Sequence, residues 1–283
     1  MKDSLFCTKN TLNAGGKVLD LSGPLVMGIL NSTPDSFYEQ SRFQSDIPML
    51  DKVASMLTDG ADILDIGGYS SRPGAENVSA EEELGRVIPS IRAIKKEFPE
   101  AIVSVDTFRA VVAKEAIESG ADMVNDISGG GLDEHMFELV AKYKVPYVMM
   151  HMKGSPQDMS MYTRYENILV EMLNYFQRRL FELRVLGVAD VVLDLGFGFA
   201  KTREQNFFLL KNLRIFKMLD CPILVGLSRK SLIYKTLEIE PSEALNGTSV
   251  LNTMALLNGG AILRVHDVKE ARQAIKLVSE LKG

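Results

Sequence analysis

The chain has 283 residues, of which 46% are hydrophobic and 24% are charged, an ordinary composition for a protein with a sizeable core. Its formal net charge is −5 and its Lys and Arg residues are spread along the chain, which argues against nucleic acid as a partner. Because we see no membrane-length apolar run, no signal peptide pattern and only the distant cysteines Cys7 and Cys221, we expect a cytoplasmic protein.

Eight short apolar runs alternate with longer helical segments along the chain. Nearly continuous hydrophobic runs are expected of parallel strands that are buried on both faces. A small β-hairpin is predicted around Gly15-Gly16, before the first of these strands. The predicted strands are Leu25–Leu30, Ile63–Ile66, Ile102–Val105, Met123–Asn125, Pro146–Met150, Val191–Leu193, Ile223–Val225 and Ile262–Val265.

The segments between the predicted strands carry helix signals. Ser79-Ala-Glu-Glu and Thr202-Arg-Glu-Gln are capping-box patterns, and each precedes an amphipathic stretch. The predicted helices are the stretch from Ser79 to about Lys96, Ala110–Glu118, Glu134–Lys142, one or two helices within Met161–Leu186, and Phe207–Met218. Eight strand–helix units in series favour a closed (β/α)8 TIM barrel over an open doubly wound sheet. We therefore predict one α/β domain over residues 1–283, with the hairpin at the base of the barrel.

Polar residues at the C-terminal ends of the strands line the active site in this fold. One group has donors suited to phosphate oxygens and comprises Asn31, Ser71, Arg72, Arg264 and His266. A second group has acceptors and donors suited to a flat heterocycle and comprises Asp106, Asn125, Asp194 and Lys230. The residues alone therefore predict a barrel enzyme that acts on a phosphorylated heterocycle.

Each of these residues also has a structural interpretation. A single Asp after a strand is more often a helix cap or a loop-orienting residue than a catalytic one, and we give Asp126 and Asp267 that role. His135, inside a predicted helix, receives no role, and for His151 the structural and functional interpretations are balanced. Buried polar residues are costly unless they are paired or bind a ligand, so the whole set favours one convergent pocket.

Seven segments resemble the signatures of the dihydropteroate synthase family, and they occur in the family's order between about Leu25 and Val268. The segments are Asn31-Ser-Thr-Pro-Asp-Ser-Phe, Gly67-Gly-Tyr-Ser-Ser-Arg-Pro-Gly, Ser104-Val-Asp-Thr, Asn125-Asp-Ile, Asp194-Leu-Gly-Phe-Gly-Phe, Gly226-Leu-Ser-Arg-Lys-Ser and Arg264-Val-His-Asp-Val. Each motif alone is weak, whereas seven in order are specific. The resemblance implies a transferase of folate biosynthesis that condenses 6-hydroxymethyl-7,8-dihydropterin pyrophosphate with p-aminobenzoate.

The resemblance also implies roles for individual residues. Those expected to contact the pterin are Asp106, Asn125, Met150, Asp194, Lys230 and Arg264, the last by stacking on the ring. Arg72, Arg264 and His266 are expected to hold the pyrophosphate, and Asn31 corresponds to the family's Mg²⁺ ligand. The residues expected to border the p-aminobenzoate pocket are Ser71, Pro73, Phe199, Lys230 and Ser231. Asp35 and Asp106 are expected to stabilise a cationic intermediate, and Phe37, Ser70 and Arg72 to lie on loops that close over the second substrate. A homodimer packed through helices near the C-terminus is expected as well.

Several positions depart from the family pattern. Gln40-Ser41 replaces a Gly-Gly pair, Tyr69 replaces a Glu, and Ser71 replaces a Thr. Leu195 replaces a Pro and Ala200 replaces a Gly. None of these changes removes a group that is expected to touch the pterin or the metal. They leave room for an altered response to sulfonamides, which mimic the arylamine.

Two other functions fit part of the pattern. A related pterin-binding barrel that transfers a methyl group from methyltetrahydrofolate to a corrinoid would share the Asp and Asn residues. It would not need Ser71-Arg72 or the Arg264-Val-His266 segment, and both are present. A catalytically inactive pterin-binding paralogue would be signalled by loss of Asn31, Arg264 or Lys230, and all three are present.

Overall fold

The computed structural model describes residues 10–32, 46–69 and 78–281. Within these ranges eight parallel strands form a closed barrel, and a two-stranded antiparallel sheet precedes them. The strands are β1 Thr11–Ala14, β2 Lys17–Asp20, β3 Leu25–Asn31, β4 Ile63–Gly67, β5 Ile102–Asp106, β6 Met123–Asp126, β7 Tyr147–Met150, β8 Val191–Asp194, β9 Ile223–Val225 and β10 Ile262–Val265. The predicted (β/α)8 barrel with its N-terminal hairpin is confirmed, and each predicted barrel strand lies within one residue of the observed bounds.

Nine α-helices lie in the described part of the chain, and they cover the outside of the barrel. They are α1 Asp46–Thr58, α2 Ala80–Glu97, α3 Ala110–Glu118, α4 Met136–Tyr143, α5 Ile168–Val185, α6 Arg203–Lys211, α7 Ser231–Leu237, α8 Leu245–Leu257 and α9 Val268–Glu280. Short 3₁₀ helices occur at Met159–Met161, Leu213–Leu219 and Pro241–Glu243. Among the described helices, none has both the length and the apolar character needed to cross a membrane.

Both predicted capping boxes are confirmed. The Ser79 hydroxyl accepts a hydrogen bond from the Glu82 N–H at 3.1 Å, and the Glu82 carboxylate accepts one from the Ser79 N–H at 2.9 Å. Thr202 and Gln205 make the same reciprocal pair at the start of α6. These side chains satisfy N–H groups that have no partner within the helix, and so they fix where α2 and α6 begin.

The hairpin closes the N-terminal end of the barrel. Leu12, Ala14 and Leu19 pack in one apolar cluster with the interior residues of the lower barrel strands. A larger apolar cluster fills the space between the strands and the helices. With the base filled by apolar side chains, polar groups from the strands converge at the opposite, C-terminal mouth.

The helix predicted at Phe207–Met218 is divided in the structure. Helix α6 ends at Lys211, and a 3₁₀ helix follows at Leu213–Leu219. The side chain of Asn212 donates to the Phe208 carbonyl oxygen at 2.8 Å, at the point where the α-helix ends. A local side-chain bond of this kind competes with the regular helical pattern.

Two other helices are shorter than predicted. Helix α4 begins at Met136, so His135 occupies the N-cap position. The prediction that His135 lies inside this helix is wrong. The Asp133 carboxylate accepts the His135 N–H at 3.0 Å and thereby holds the turn before the helix. In the Met161–Leu186 segment the α-helix begins only at Ile168, because Asn167 caps it.

Candidate active site

Polar side chains from five of the eight barrel strands meet at the C-terminal mouth. They are Asp65 of β4, Asp106 of β5, Asn125 of β6, Asp194 of β8 and Arg264 of β10. Asp106 is aligned with Asn125 on the adjacent strand, and Met150 at the end of β7 is aligned with Asp194. Three residues of the predicted heterocycle group, Asp106, Asn125 and Asp194, therefore share one region of the barrel with Arg264. The fourth, Lys230, joins them from the loop after β9.

Arg264 is the centre of this polar group. Its Nε donates to Asp65 Oδ2 at 2.6 Å, and its Nη2 donates to Asp106 Oδ2 at 2.6 Å. Burial opposes the charge on Arg264, but the two carboxylates outweigh it and raise the pKa of the guanidinium above its ordinary value. Arg264 therefore carries a permanent positive charge, and its plane is held at two edges.

Asp106 titrates near neutral pH. Burial raises the pKa of its carboxyl group to about 7, and the negative charges of Asp65, Glu83 and Asp126 act in the same direction. The Arg264 guanidinium opposes that rise. A carboxyl group with a pKa this far from its ordinary value, in a cleft and beside a charge partner, is typical of a functional site.

Asp194 and Lys230 form the other half of the polar group. Burial raises the pKa of Asp194, while Lys230, the Gly196 N–H and Arg264 lower it. Burial lowers the pKa of Lys230 to about 8, and the Asp194 charge opposes that change. The Lys230 ammonium donates to the Phe197 carbonyl oxygen at 2.5 Å and lies 4.7 Å from the centre of the Phe199 ring.

An apolar surface adjoins these charges. Met150 belongs to a buried cluster with Ile127, Met152, Met159 and Ala200, and Phe108 and Phe199 pack against it. Phe199 thus contacts both the apolar cluster and the Lys230 ammonium. The site has a polar region and an apolar region that meet at Lys230, as expected for a ligand with a polar ring at one end and an aromatic ring at the other.

His266 and Ser231 lie on the same side of the mouth. The Ser228 hydroxyl is 3.0 Å from His266 Nδ1 and accepts the His266 backbone N–H at 3.1 Å. Ser231 is the first residue of α7, directly after Lys230. His266 is thereby placed two residues beyond Arg264 with its imidazole held by Ser228.

Asn31 is the last residue of β3 and is exposed at the mouth, beside Gly67 of β4. Its amide oxygen is a hard donor of the kind that Mg²⁺ prefers. The described residues contain no cluster of three or more His, Cys, Asp or Glu side chains that would hold a metal ion by themselves. Asn31 is thus a side chain that could contribute one oxygen ligand to an Mg²⁺ ion, with the remaining ligands supplied from outside the protein.

The structural interpretation of Asp126 is supported. Its carboxylate accepts hydrogen bonds from Ser128 N, Ser128 Oγ, Gly130 N and Tyr147 Oη, all between 2.7 and 2.8 Å. Asp126 therefore orients the loop after β6. Asp267 precedes α9 but its side chain does not cap the helix. Its two oxygens instead accept hydrogen bonds from Arg229 at 2.9 and 2.8 Å, which agrees with the other structural interpretation, that of a loop-orienting residue.

His151 is enclosed behind the apolar cluster. Burial lowers the pKa of its imidazole well below the ordinary value, and nearby Lys201 adds to the effect, so the ring is neutral. Its Nδ1 lies 3.2 Å from Lys201 Nζ, and the ring packs edge-on against Tyr175. These contacts favour the structural interpretation of His151.

Several predicted site residues lie outside the described residues. They are Asp35, Phe37, Gln40, Ser41, Ser70, Ser71, Arg72 and Pro73. Tyr69 is the last described residue before the second of these segments. Its hydroxyl accepts a hydrogen bond from Gln157 Nε2 at 2.6 Å, and its ring packs edge-on against Phe108.

Three further residues support the site, and the sequence motifs predict no role for them: Asp65, Lys201 and Ser228. Asp65 contacts Arg264 and Asn125, and Ser228 contacts His266. Lys201 binds the carbonyl oxygens of Gly196 and Phe199. One signal was available for Asp65, which is a single acidic residue within the apolar run Ile63–Ile66.

Comparison with known proteins gives a consistent result. The family model described as pterin binding enzyme matches residues 27–266. The chain is 44% identical to the dihydropteroate synthase of Synechocystis sp. over 259 residues, which cover 90% of this chain and 89% of that protein. A Yersinia pestis dihydropteroate synthase structure with a sulfonamide drug superposes with a TM-score of 0.89 at 38% identity, covering 96% of this chain and 99% of the other. A Xanthomonas albilineans dihydropteroate synthase structure with 4-aminobenzoic acid superposes with a TM-score of 0.89 at 35% identity, covering 98% and 99%.

Proposed function

The chain belongs to the pterin-binding enzyme family, and we propose that it catalyses the dihydropteroate synthase reaction. In this reaction p-aminobenzoate displaces pyrophosphate from 6-hydroxymethyl-7,8-dihydropterin pyrophosphate to give 7,8-dihydropteroate. The observation that carries the proposal is the joining of a polar and an apolar region at Lys230. The polar region contains Arg264, Asp106, Asn125 and Asp194, and the apolar region contains Phe199.

The polar region matches the edge of a pterin ring. A pterin presents a ring N–H beside an amino group, and a single carboxylate accepts both hydrogen bonds. Asp194 is suited to this role because it is buried and its Oδ1 already accepts the Gly196 N–H at 2.8 Å, which fixes the carboxylate. Asp106 and Asn125 extend the set of hydrogen-bonding groups along the neighbouring strands. Arg264, held at its edges, presents its planar face for stacking on the ring.

The leaving group is a pyrophosphate, and negative charge develops on it as the carbon–oxygen bond to the pterin methylene breaks. Arg264 and His266 provide donors near this position, and Arg72 is expected to join them. Arg264 does not lose its charge at any working pH, because Asp65 and Asp106 raise its pKa. Mg²⁺, with Asn31 as its protein ligand, would supply further positive charge to the pyrophosphate.

The arylamine needs no dedicated general base. Its nitrogen is a neutral nucleophile at pH 7, and the proton that it loses after forming the new carbon–nitrogen bond passes to solvent. If pyrophosphate leaves first, the methylene cation is delocalised into the pterin ring, and the Asp106 and Asp35 carboxylates are suited to stabilise it. Phe199 and the apolar cluster around Met150 favour an aromatic ring beside Lys230.

The test uses purified protein with 6-hydroxymethyl-7,8-dihydropterin pyrophosphate, p-aminobenzoate and Mg²⁺. Chromatography follows pyrophosphate and 7,8-dihydropteroate over time. We expect both products in equal amounts only when all three components are present, and we expect EDTA to stop the reaction. Tight binding of the pterin with no product in any condition would contradict the proposal and would favour an inactive pterin-binding paralogue.

The proposal includes a homodimer that forms through the C-terminal helices. Helix α8 exposes apolar side chains at Val250, Met254 and Leu257, which are 52, 41 and 43% exposed and follow helical spacing along one face. Helix α9 packs against α8 and exposes Leu277 at 71%. Apolar side chains exposed along one face of a helix are typical of an interaction site, and a second copy of the chain is the partner that the family resemblance implies.

A further inference from the structure

Asp65 is fully buried in β4 and contacts two residues of the pterin site at once. We propose that Asp65 is a positioning residue that fixes Arg264 and Asn125 in the orientations that receive the pterin. This inference rests on the proposed function, because it concerns the same site. Asp65 itself lies behind Arg264 and Asn125 and acts through them.

The hydrogen bonds of Asp65 fix the orientations of two side chains, those of Arg264 and Asn125. Its Oδ2 accepts hydrogen bonds from Arg264 Nε at 2.6 Å and from Asn125 Nδ2 at 3.0 Å. Arg264 is held at its other edge by Asp106, so two carboxylates together fix the guanidinium plane. With Asp106 alone, the guanidinium would be free to rotate about a single contact. The Asn125 amide is likewise fixed, because its nitrogen faces Asp65 and its oxygen faces away.

Stability alone does not explain an acidic residue at this position. Asp65 Oδ1 is buried and has no hydrogen-bond partner among the described residues, and the same is true of Ser104 Oγ on the aligned position of β5. A buried carboxylate with one unsatisfied oxygen is costly, and an apolar side chain would match the rest of β4. A side chain that lowers stability is expected at a position where function requires it. The hydrogen bonds to Arg264 and Asn125 indicate that the function of Asp65 is to orient these two side chains.

Asp122 provides a matched control at the other end of the barrel. It is also buried, and its Oδ2 also accepts two donors, Lys95 Nζ at 2.5 Å and Val103 N at 2.8 Å. Replacing either Asp by Asn removes one buried negative charge and weakens two contacts. The two variants therefore share a general effect on folding, whereas only Asp65 contacts residues of the active site.

The experiment measures the affinity of the full-length protein for 6-hydroxymethyl-7,8-dihydropterin pyrophosphate by calorimetry, and kcat for product formation. For Asp65→Asn we expect the Kd to rise about 10- to 100-fold, the size of effect that is typical when the hydrogen-bond partner behind a metal-binding residue is removed. We expect Asp122→Asn to bind within about threefold of the wild type, a change of less than 1 kcal/mol. Equal affinities for Asp65→Asn and wild type would overturn the proposal, as would equal losses in both variants.

A double-mutant cycle separates positioning from a general electrostatic effect. Because Asp65 acts partly through Arg264, we expect Asp65→Asn to cost much less affinity in an Arg264→Lys background than in the wild type. Full additivity of the two losses would contradict the proposal.

Asp65→Glu is the second variant, since it keeps the charge but displaces the carboxylate, and we expect it to lose affinity too. If neither Asp65 variant folds while Asp122→Asn does, Asp65 is a structural residue and the proposal is wrong. Absence of pterin binding and product in the wild type would instead reject the proposed function itself.

Discussion

The carboxyl group of Asp106 gives the site a dependence on pH. Burial and three neighbouring carboxylates raise its pKa to about 7, and Arg264 limits the rise. The ionised form is the one that accepts a pterin N–H and stabilises a cation. It is present above pH 7 and is lost as the pH falls through 7.

We therefore predict that kcat/KM decreases on the acid side of pH 7 in the wild type, with an apparent pKa near 7. In Asp106→Asn the overall rate is lower, and this acid limb is absent because the amide does not titrate. A pH profile of kcat/KM for both proteins checks the prediction. An acid limb with the same midpoint in the variant would assign the titration to another group.

At the scale of secondary-structure elements, the loop between β8 and α6 depends on Lys201. Its ammonium donates to the carbonyl oxygens of Gly196 and Phe199 at 3.1 and 3.0 Å, and it also contacts His151. Gly196 has a φ of +67°, and a Cβ there would collide with the His151 carbonyl oxygen, so only glycine fits this turn. Ala200 also adopts a left-handed conformation, with a φ of +49°.

We predict that Lys201→Met loosens this loop and raises the KM for p-aminobenzoate by about tenfold, because Phe199 is no longer held in place. A steady-state measurement with p-aminobenzoate as the varied substrate checks this. Lys211→Met is the control, because it makes the same Lys-to-Met substitution at an exposed position of α6. If the two variants have the same KM, Phe199 is positioned by packing alone.

The strands and helices also show which features of the structure can be predicted from sequence patterns. The barrel strands were predictable because each is a short, nearly continuous apolar run, and α2 and α6 were predictable because their capping boxes are local. The division at Asn212 depends on one side-chain bond, which periodicity does not encode. Asp106, Asn125, Asp194 and Arg264 were predicted from their positions at strand ends. Asp65 was not assigned, because its partner Arg264 is 199 residues away and only barrel closure brings them together.

At the scale of the whole molecule, the exposed apolar face of α8 predicts self-association. Met254→Glu places a charge within this face, and we expect it to convert the dimer to a monomer at micromolar concentration. Analytical ultracentrifugation of both proteins measures the change. Val185→Glu is the control, because Val185 is 70% exposed at the end of α5 and is not part of the α8 face. A wild-type protein that sediments as a monomer would contradict the proposed dimer.

The barrel as a whole separates stability from chemistry, with apolar packing at its base and the polar group around Arg264 at its mouth. The measurement that tests this most directly is 7,8-dihydropteroate formation by the wild type, Arg264→Ala and Asp122→Asn. We predict product from the wild type and from Asp122→Asn, and a kcat/KM at least about 100-fold lower for Arg264→Ala, since it loses a charged donor to the leaving group. Wild-type activity in Arg264→Ala, or no product from the wild type, would contradict the proposed reaction at this site.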